Sequence, residues 1–275
     1  MEKIESMGCK PFQYLMVGAA FASIGGASTA ALAAADDDYI NPDRPGIADG
    51  STTVGLGHFQ IETAFQHEFR DSGDDRTTFF PTLLRYGIAK KWEVRVEGTT
   101  YTWNKHVDPV QGTSRSRGLA PTSIGVKYNF LEADGAKQPS VGAIARVFPP
   151  SGSGDFRSTR TTGDFRLAAD WEFADKWSLN PNVGVGVFQD QANRTYAAGL
   201  FATTLNYNPS KTLNFFIDTG LQTPETKGGK TSVIVDAGAA FIIGHNIQLD
   251  LSAGTGVAGS SPPHPFVAVG FSERF

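Results

Sequence analysis

The chain has 275 residues, a formal net charge of −4, 31 glycines, 20 phenylalanines and a single cysteine. Mild acidity without any block of Lys or Arg argues against a nucleic-acid partner, and one cysteine cannot build a disulfide framework. Abundant Gly and Phe point to an all-β chain.

The first elements concern export. Lys3 and Lys10 precede "FQYLMVGAAFASIGGASTAALAA", which runs from Phe12 to Ala34 without a charge. "ALA" and "AAA" follow as small-residue cleavage sites, ending at Ala33 and Ala35, and acidic "DDD" comes next. A positive, then apolar, then small-residue order is that of a secretory signal peptide, expected over residues 1–35. The rival is a membrane anchor helix, since the run is long enough to span, but its second half is Gly, Ala, Ser and Thr rather than Leu and Ile. Cys9 precedes the apolar stretch and leaves with it, so the mature chain is expected to carry no thiolate chemistry. Residues 36–54 then form a periplasmic N-terminal segment, and residues 55–275 one large domain. No second uncharged run is long enough for a spanning helix.

From residue 58 the chain alternates with period two between turn signals. "HFQIETAFQHEF" sets Phe59, Ile61, Phe65 and Phe69 against Gln60, Glu62, Gln66 and Glu68. "FPTLLRYGI" and "WEVRVEG" follow, with Arg85, Glu93, Arg95 and Glu97 opposite the apolar set. "NKHVDPVQGTSRSRG" is read as a solvated loop. "SIGVKYNF", "SVGAIARVF", "DFRLAADWEF" and "WSLNPNVGVGV" place Lys127, Arg146, Arg166, Asp170 and Glu172 on the polar face. "AAGLFATTLNY", "TLNFFIDTGL", "SVIVDAGAAFI" and "IQLDLSAGTGV" add Asp218, Asp236 and Asp250. The terminal "PFVAVGFSERF" alternates to its last residue, with Arg274 on the polar side. That makes twelve strands. Short connections such as "AKK", "ADK" and "GHN" interleave with long ones rich in Gly, Ser, Pro and charge, and hairpins recur every ~35 residues as a weak internal repeat.

A soluble sandwich or lipocalin-like barrel would turn the apolar side chains inward. A twelve-strand lumen is too wide to be filled by the small and charged residues of the other face. Trp92, Phe130, Phe173, Trp177 and Tyr207 also cluster beside the short turns, where interfacial girdles belong. The expectation is therefore a closed antiparallel transmembrane β-barrel of about twelve strands, with short periplasmic turns and longer extracellular loops, in the bacterial outer membrane. Its surroundings would be outer-membrane lipid and lipopolysaccharide. Phe271 and Phe275 resemble the terminal signal read by the barrel-assembly machinery, with Glu273 standing where a further aromatic is usual.

"NPDRPG" (Asn41–Gly46), "GHFQIE", "LLRYGIAKKWEVRVE" and the "GFSxRF" ending, in this order, resemble the outer-membrane transporters named for the meta-pathway of phenol degradation. The resemblance covers essentially the whole mature chain. It implies transport across the outer membrane, with a link to aromatic compounds and no defined permeant.

The lumen-facing charges, Glu62, Glu68, Glu93, Glu97, Asp170, Glu172, Asp218, Asp236 and Asp250 with Arg85, Arg95, Lys127, Arg146, Arg166 and Arg274, read either as selectivity rings of a passive channel or as a salt-bridged interior that conducts little. Acids exceed bases, which predicts a mild preference for cations. Phe79, Leu83, Ile144 and Phe216 share the lumen face, as contacts for an aromatic permeant or as packing. The alternatives to a channel are a barrel enzyme acting on lipids and a non-conducting structural barrel. An enzyme would need a Ser or Thr beside a His base. His67, on the outer face near Thr77, Thr78 and Thr82, is the sole candidate, and His58 is expected on the lumen face. No G-x-S-x-G occurs, and no spacing suits a metal or a phosphate loop, so no catalytic residue, cofactor or metal is expected.

Overall fold

The computed structural model describes residues 39–70, 75–108, 110, 112–190, 192–259 and 265–275. The signal segment lies outside them. Thirteen strands follow in chain order: β1 (Phe59–Arg70), β2 (Asp75–Ala89), β3 (Trp92–Asp108), β4 (Gly112–Gly118), β5 (Ser123–Leu131), β6 (Ser140–Phe148), β7 (Thr162–Ala174), β8 (Trp177–Gln189), β9 (Thr195–Ser210), β10 (Leu213–Thr223), β11 (Ser232–Ile243), β12 (Ile247–Ala258) and β13 (Phe266–Arg274). Each neighbouring pair is antiparallel, and β1 pairs with both β2 and β13, so the sheet closes on itself. β4 and β5 follow one another along the same edge of β3, pairing with its far and near halves. The closed wall therefore has twelve strand positions.

The structure departs from the sequence reading at residues 104–118. Instead of a loop, β3 runs on to Asp108 and returns as β4, a hairpin that extends the wall. Leu119 to Thr122 interrupt the strand before β5, and Ser151 and Ser153 hold this break by accepting from the Thr122 and Leu119 N–H groups at 2.8 and 2.9 Å.

The alternation sorts the two faces. Outward residues are apolar and exposed, Val185 at 64%, Ile217 at 58% and Leu249 at 43% among them. Exposed apolar side chains around a whole closed wall suit hydrocarbon, not water. Trp92 stacks on Tyr128 at 4.4 Å and Trp177 tilts against Tyr207 at 4.9 Å, both beside short turns. Trp171 donates its indole N–H to the Ala136 carbonyl at 2.9 Å, tying the β5–β6 connection to the same rim.

The described part of residues 36–54, expected outside the barrel, does not stay there. Residues 41–54 run inside the barrel on the short-turn half, bonded to side chains of the wall. The wall accommodates them where side chains are missing. A Cβ on Gly87 would lie 1.6 Å from the Gly55 carbonyl oxygen, and one on Gly142 would lie 2.5 Å from that of Ser51.

Candidate functional site: a plugged and polarised lumen

At the short-turn end the lumen is closed by an ionic lattice around the inserted segment. Arg85 on β2 is 1% exposed and uses all five of its N–H donors. Nε and Nη2 fork onto Glu93 at 2.9 Å each, Nη1 reaches Glu62 at 2.9 Å, and the remaining donors reach the Thr52 and Asn41 carbonyls at 3.0 and 3.2 Å. Asp43 of the segment sits among three cations: Lys127 on β5 at 2.9 Å, Arg95 on β3 at 2.9 Å and Arg85 at 3.6 Å. Asp49 bridges Arg95 and Arg166 at 3.0 and 3.2 Å. Across the lumen, the Arg44 guanidinium pairs with Asp250 at 3.0 Å, and its backbone N–H donates to Glu62. Ile47 N–H donates to Asp218 at 2.7 Å, Asp49 N–H to Asn182 at 2.8 Å and Ser51 N–H to Asp170 at 2.7 Å. In a lumen from which water is largely displaced, each backbone donor of the inserted segment needs such a wall partner.

The wall charges are not spread evenly. Among the described residues, the wall bases buried or half-buried in the lumen, Arg85, Arg95, Lys127, Arg146 and Arg166, stand on strands β2 to β7. On β9 to β13 the charged side chains facing the lumen below the rim are Asp218, Asp236 and Asp250. In the twelve-position ring, β10, β11 and β12 stand diametrically opposite β3, β5 and β6. Glu93, Glu97, Asp164 and Asp170 nearly balance the bases on β2 to β7, whereas β10 to β12 carry acids alone, so the lumen is polarised by where its bases stand. Asp43 lies against the basic arc and Arg44 against the acidic arc, which orients the segment.

Above the plug, a cavity of about 870 Å³ opens toward the long loops. Its floor is Pro45, Gly46, Ile47 and Ala48. Phe79, Leu83, Phe188, Ile234 and Phe266 supply apolar wall, while Arg146 and Arg166 supply charge. Arg146 forks onto Asp164 at 3.0 and 2.7 Å and reaches Glu97 at 2.5 Å.

Most sequence-expected lumen residues lie where alternation put them. Glu62, Glu93, Arg85, Arg95 and Lys127 are the most deeply buried, and Glu97, Arg166 and Asp170 are half-buried. Two are corrected. Glu172 is exposed on the short-turn rim, and Arg274 sits on the same rim, donating to Asn246 at 3.0 Å. Both lie past the inserted segment, where the wall meets solvent. His58 is likewise exposed, against the Phe275 carbonyl at 3.2 Å, rather than facing the lumen. Of the four apolar lumen residues, Phe79 and Leu83 line the cavity, whereas Ile144 and Phe216 are buried packing. Sequence reading missed Asp43, Arg44, Asp49 and Asp164. Asp164 follows the β7 alternation and was legible there. The other three lie in a segment without periodicity.

Among the described residues, the outer face shows a hydroxyl–imidazole contact at His67. His67 Nδ1 lies 2.7 Å from Thr78 Oγ1, its direct cross-strand partner. The other ring contact of His67 is edge-on to Phe69, so no carboxylate orients the imidazole as acyl-transfer chemistry requires. Among the described residues, no group of three or more His, Cys, Asp or Glu side chains is arranged to hold a metal ion.

The family described as "Putative MetA-pathway of phenol degradation" matches residues 42–275. The chain belongs to this family. No curated protein matches it. Among solved structures, the COG4313 outer membrane channel from Pseudomonas putida F1 superposes with a TM-score of 0.64 at 12% identity, over 86% of this chain and 100% of that one. The KdgM porin gives 0.52 at 12% identity, over 78% and 99%, and the β domain of the Bordetella autotransporter BrkA gives 0.50 at 13%, over 80% and 100%. At such identities the likeness establishes the fold, that of outer-membrane β-barrels.

Proposed function

We propose that the protein is an outer-membrane channel for passive passage of small molecules, held nearly closed by its own N-terminal segment. The observation that carries this reading is the cavity above Pro45 to Ala48. A barrel serving only as a scaffold has no need of a polar, side-chain-lined chamber reaching from the loop rim to a plug. Short turns then face the periplasm and long loops the exterior. Phe271 and Phe275 serve the assembly signal, and Phe275 closes the last strand through paired backbone hydrogen bonds with Phe59. Family membership supports aromatic compounds as permeants, for which Phe79, Leu83 and Phe188 offer apolar contact. Acidic side chains outnumber basic ones in the lumen, which favours cations among charged solutes.

Planar-bilayer recording of refolded protein tests the reading, paired with a lipid-hydrolysis assay on the same preparation. Intact protein should give small, flickering steps. Deleting residues 39–54 should raise the conductance severalfold, and reversal potentials across a salt gradient should show cation preference that shrinks as salt screens the lumen. Silence from both forms, or lipid hydrolysis lost on His67→Ala, would overturn the channel reading.

A further inference from the structure

Asp218 and Asp236 are direct cross-strand partners on the lumen face of the β10–β11 pair. They are 6% and 8% exposed, and Oδ1 of each has no hydrogen-bond partner. Like charges at directly opposed positions repel, and burial strengthens the repulsion. Such a pair is relieved by a proton or by a positive charge from outside. The acidic arc supplies no base of its own here. The plug's Arg44 is paired lower down with Asp250 and touches Asp236 only through its field, and Asp218 spends its second oxygen on the Ile47 N–H and Thr204 hydroxyl.

The immediate surroundings are aromatic. Asp236 and Phe266 flank Gly254 from the two neighbouring strands and lie over it together: a Cβ there would stand 2.4 Å from Asp236 Cβ and 2.5 Å from Phe266 Cζ. The Phe216 ring covers Gly238, two residues from Asp236 on the same face, in the same way. Asp236, Ile234 and Phe266 all line the cavity above the plug.

We propose that the Asp218–Asp236 pair, presented to the cavity by Asp236, binds a small organic ammonium ion whose apolar body lies against the ring of Phe266. A hard metal ion wants six or more oxygen ligands, and two carboxyls and one threonine hydroxyl beside phenyl rings fall short of that. An ammonium group needs one net negative charge and few directed bonds, and it gains from the faces of aromatic rings. Its apolar body would rest on Ile234 and Phe266 in the cavity. The inference rests on the lumen being a permeation path and names a charge class of permeant that pauses there.

Calorimetry on the full-length protein in detergent micelles tests the site independently of conduction. Benzylammonium should bind, benzoate and neutral benzyl alcohol should bind at least tenfold more weakly, and sodium at equal concentration should not compete. Asp236→Asn removes the charge while easing the repulsion, and should weaken benzylammonium by about tenfold or more, roughly 1.4 kcal/mol. Phe266→Leu keeps an apolar wall without the ring and should weaken it less, leaving benzyl alcohol unchanged. Binding of alcohol and ammonium alike, competition by sodium, indifference to Asp236→Asn, or no binding at all would overturn the proposal. If Asp236→Asn lacks the heat-resistant gel mobility of a folded barrel, the ligand series and Phe266→Leu decide. Binding without conductance would sink the channel reading and leave the site, whereas conductance without binding would do the reverse.

Discussion

At the scale of single residues, Arg85 shows how a buried guanidinium can be satisfied at every donor, whereas Arg95, equally buried, keeps Nε and Nη1 without hydrogen-bond partners. Arg85 has no N–H to spare, and Glu62 and Glu93 have no other guanidinium of comparable geometry. Arg85→Met should therefore leave Glu62 without its guanidinium and Glu93 with only the longer ion pairs to Arg95 and Lys127 at 3.9 and 4.0 Å, and cost about 3–5 kcal/mol. Arg85→Lys should recover only part of this, because an ammonium cannot fork onto Glu93 while also reaching Glu62. Urea unfolding in micelles, followed by tryptophan fluorescence, reads both; a wild-type midpoint for Arg85→Met would show that the lattice is dispensable. The same pairing changes what the acidic residues can do. Glu93, Glu97 and Asp250 are held by Arg85, Arg146 and Arg44, so exchanging all three for amides should lower stability more than it shifts selectivity.

At the scale of the strand, alternation decides which solvent each side chain meets. Val185 on β8 and Leu249 on β12 face outward, and Arg at either should cost about 2–4 kcal/mol near the bilayer midplane. Ser252, three residues after Leu249 and on the opposite face, borders the cavity, so Ser252→Arg has both room and water and should cost less. Equal losses at both faces in a reversible folding assay would contradict the lipid-facing assignment. Gly184 is a poor control for this comparison, since a Cβ there would stand 2.5 Å from the Phe165 carbonyl oxygen. The β3–β4 hairpin is the element whose strand character was invisible in sequence. "GTSRSRG" has no apolar residue, and most of β4 is exposed. A hairpin that projects past the apolar belt is wet on both faces and has no reason to alternate.

At the scale of the whole molecule, closure and export bear on one another. The closed ring leaves no strand edge within it, and only β4, beyond the ring, has β3 as its single strand partner. We expect cleavage after Ala33 or Ala35, leaving only a few residues before the plug begins near Asn41. Mass spectrometry of protein taken from outer-membrane fractions checks this, and an intact Met1 would exclude it. The polarised wall makes a companion point: exchanging Asp43 and Arg44 in sequence would set each charge against its like, so the doubly changed protein should conduct as the deletion of residues 39–54 does.

Read alone, the sequence determined the barrel: the twelve strand positions, the outward apolar face, the aromatic rim and most lumen charges, from Glu62 through Asp250. These follow from a local rule, because a strand's side chains alternate whatever its neighbours are, and one lipid-facing side imprints that period directly. Tertiary structure alone decided the plug, the opposition of acidic and basic arcs, the facing of Asp218 and Asp236, and the rim positions of Glu172 and Arg274. None of these has a period. Asp43 meets Lys127 across 84 residues and Arg44 meets Asp250 across 206, and only closure of the ring converts such separations into distances of about 3 Å.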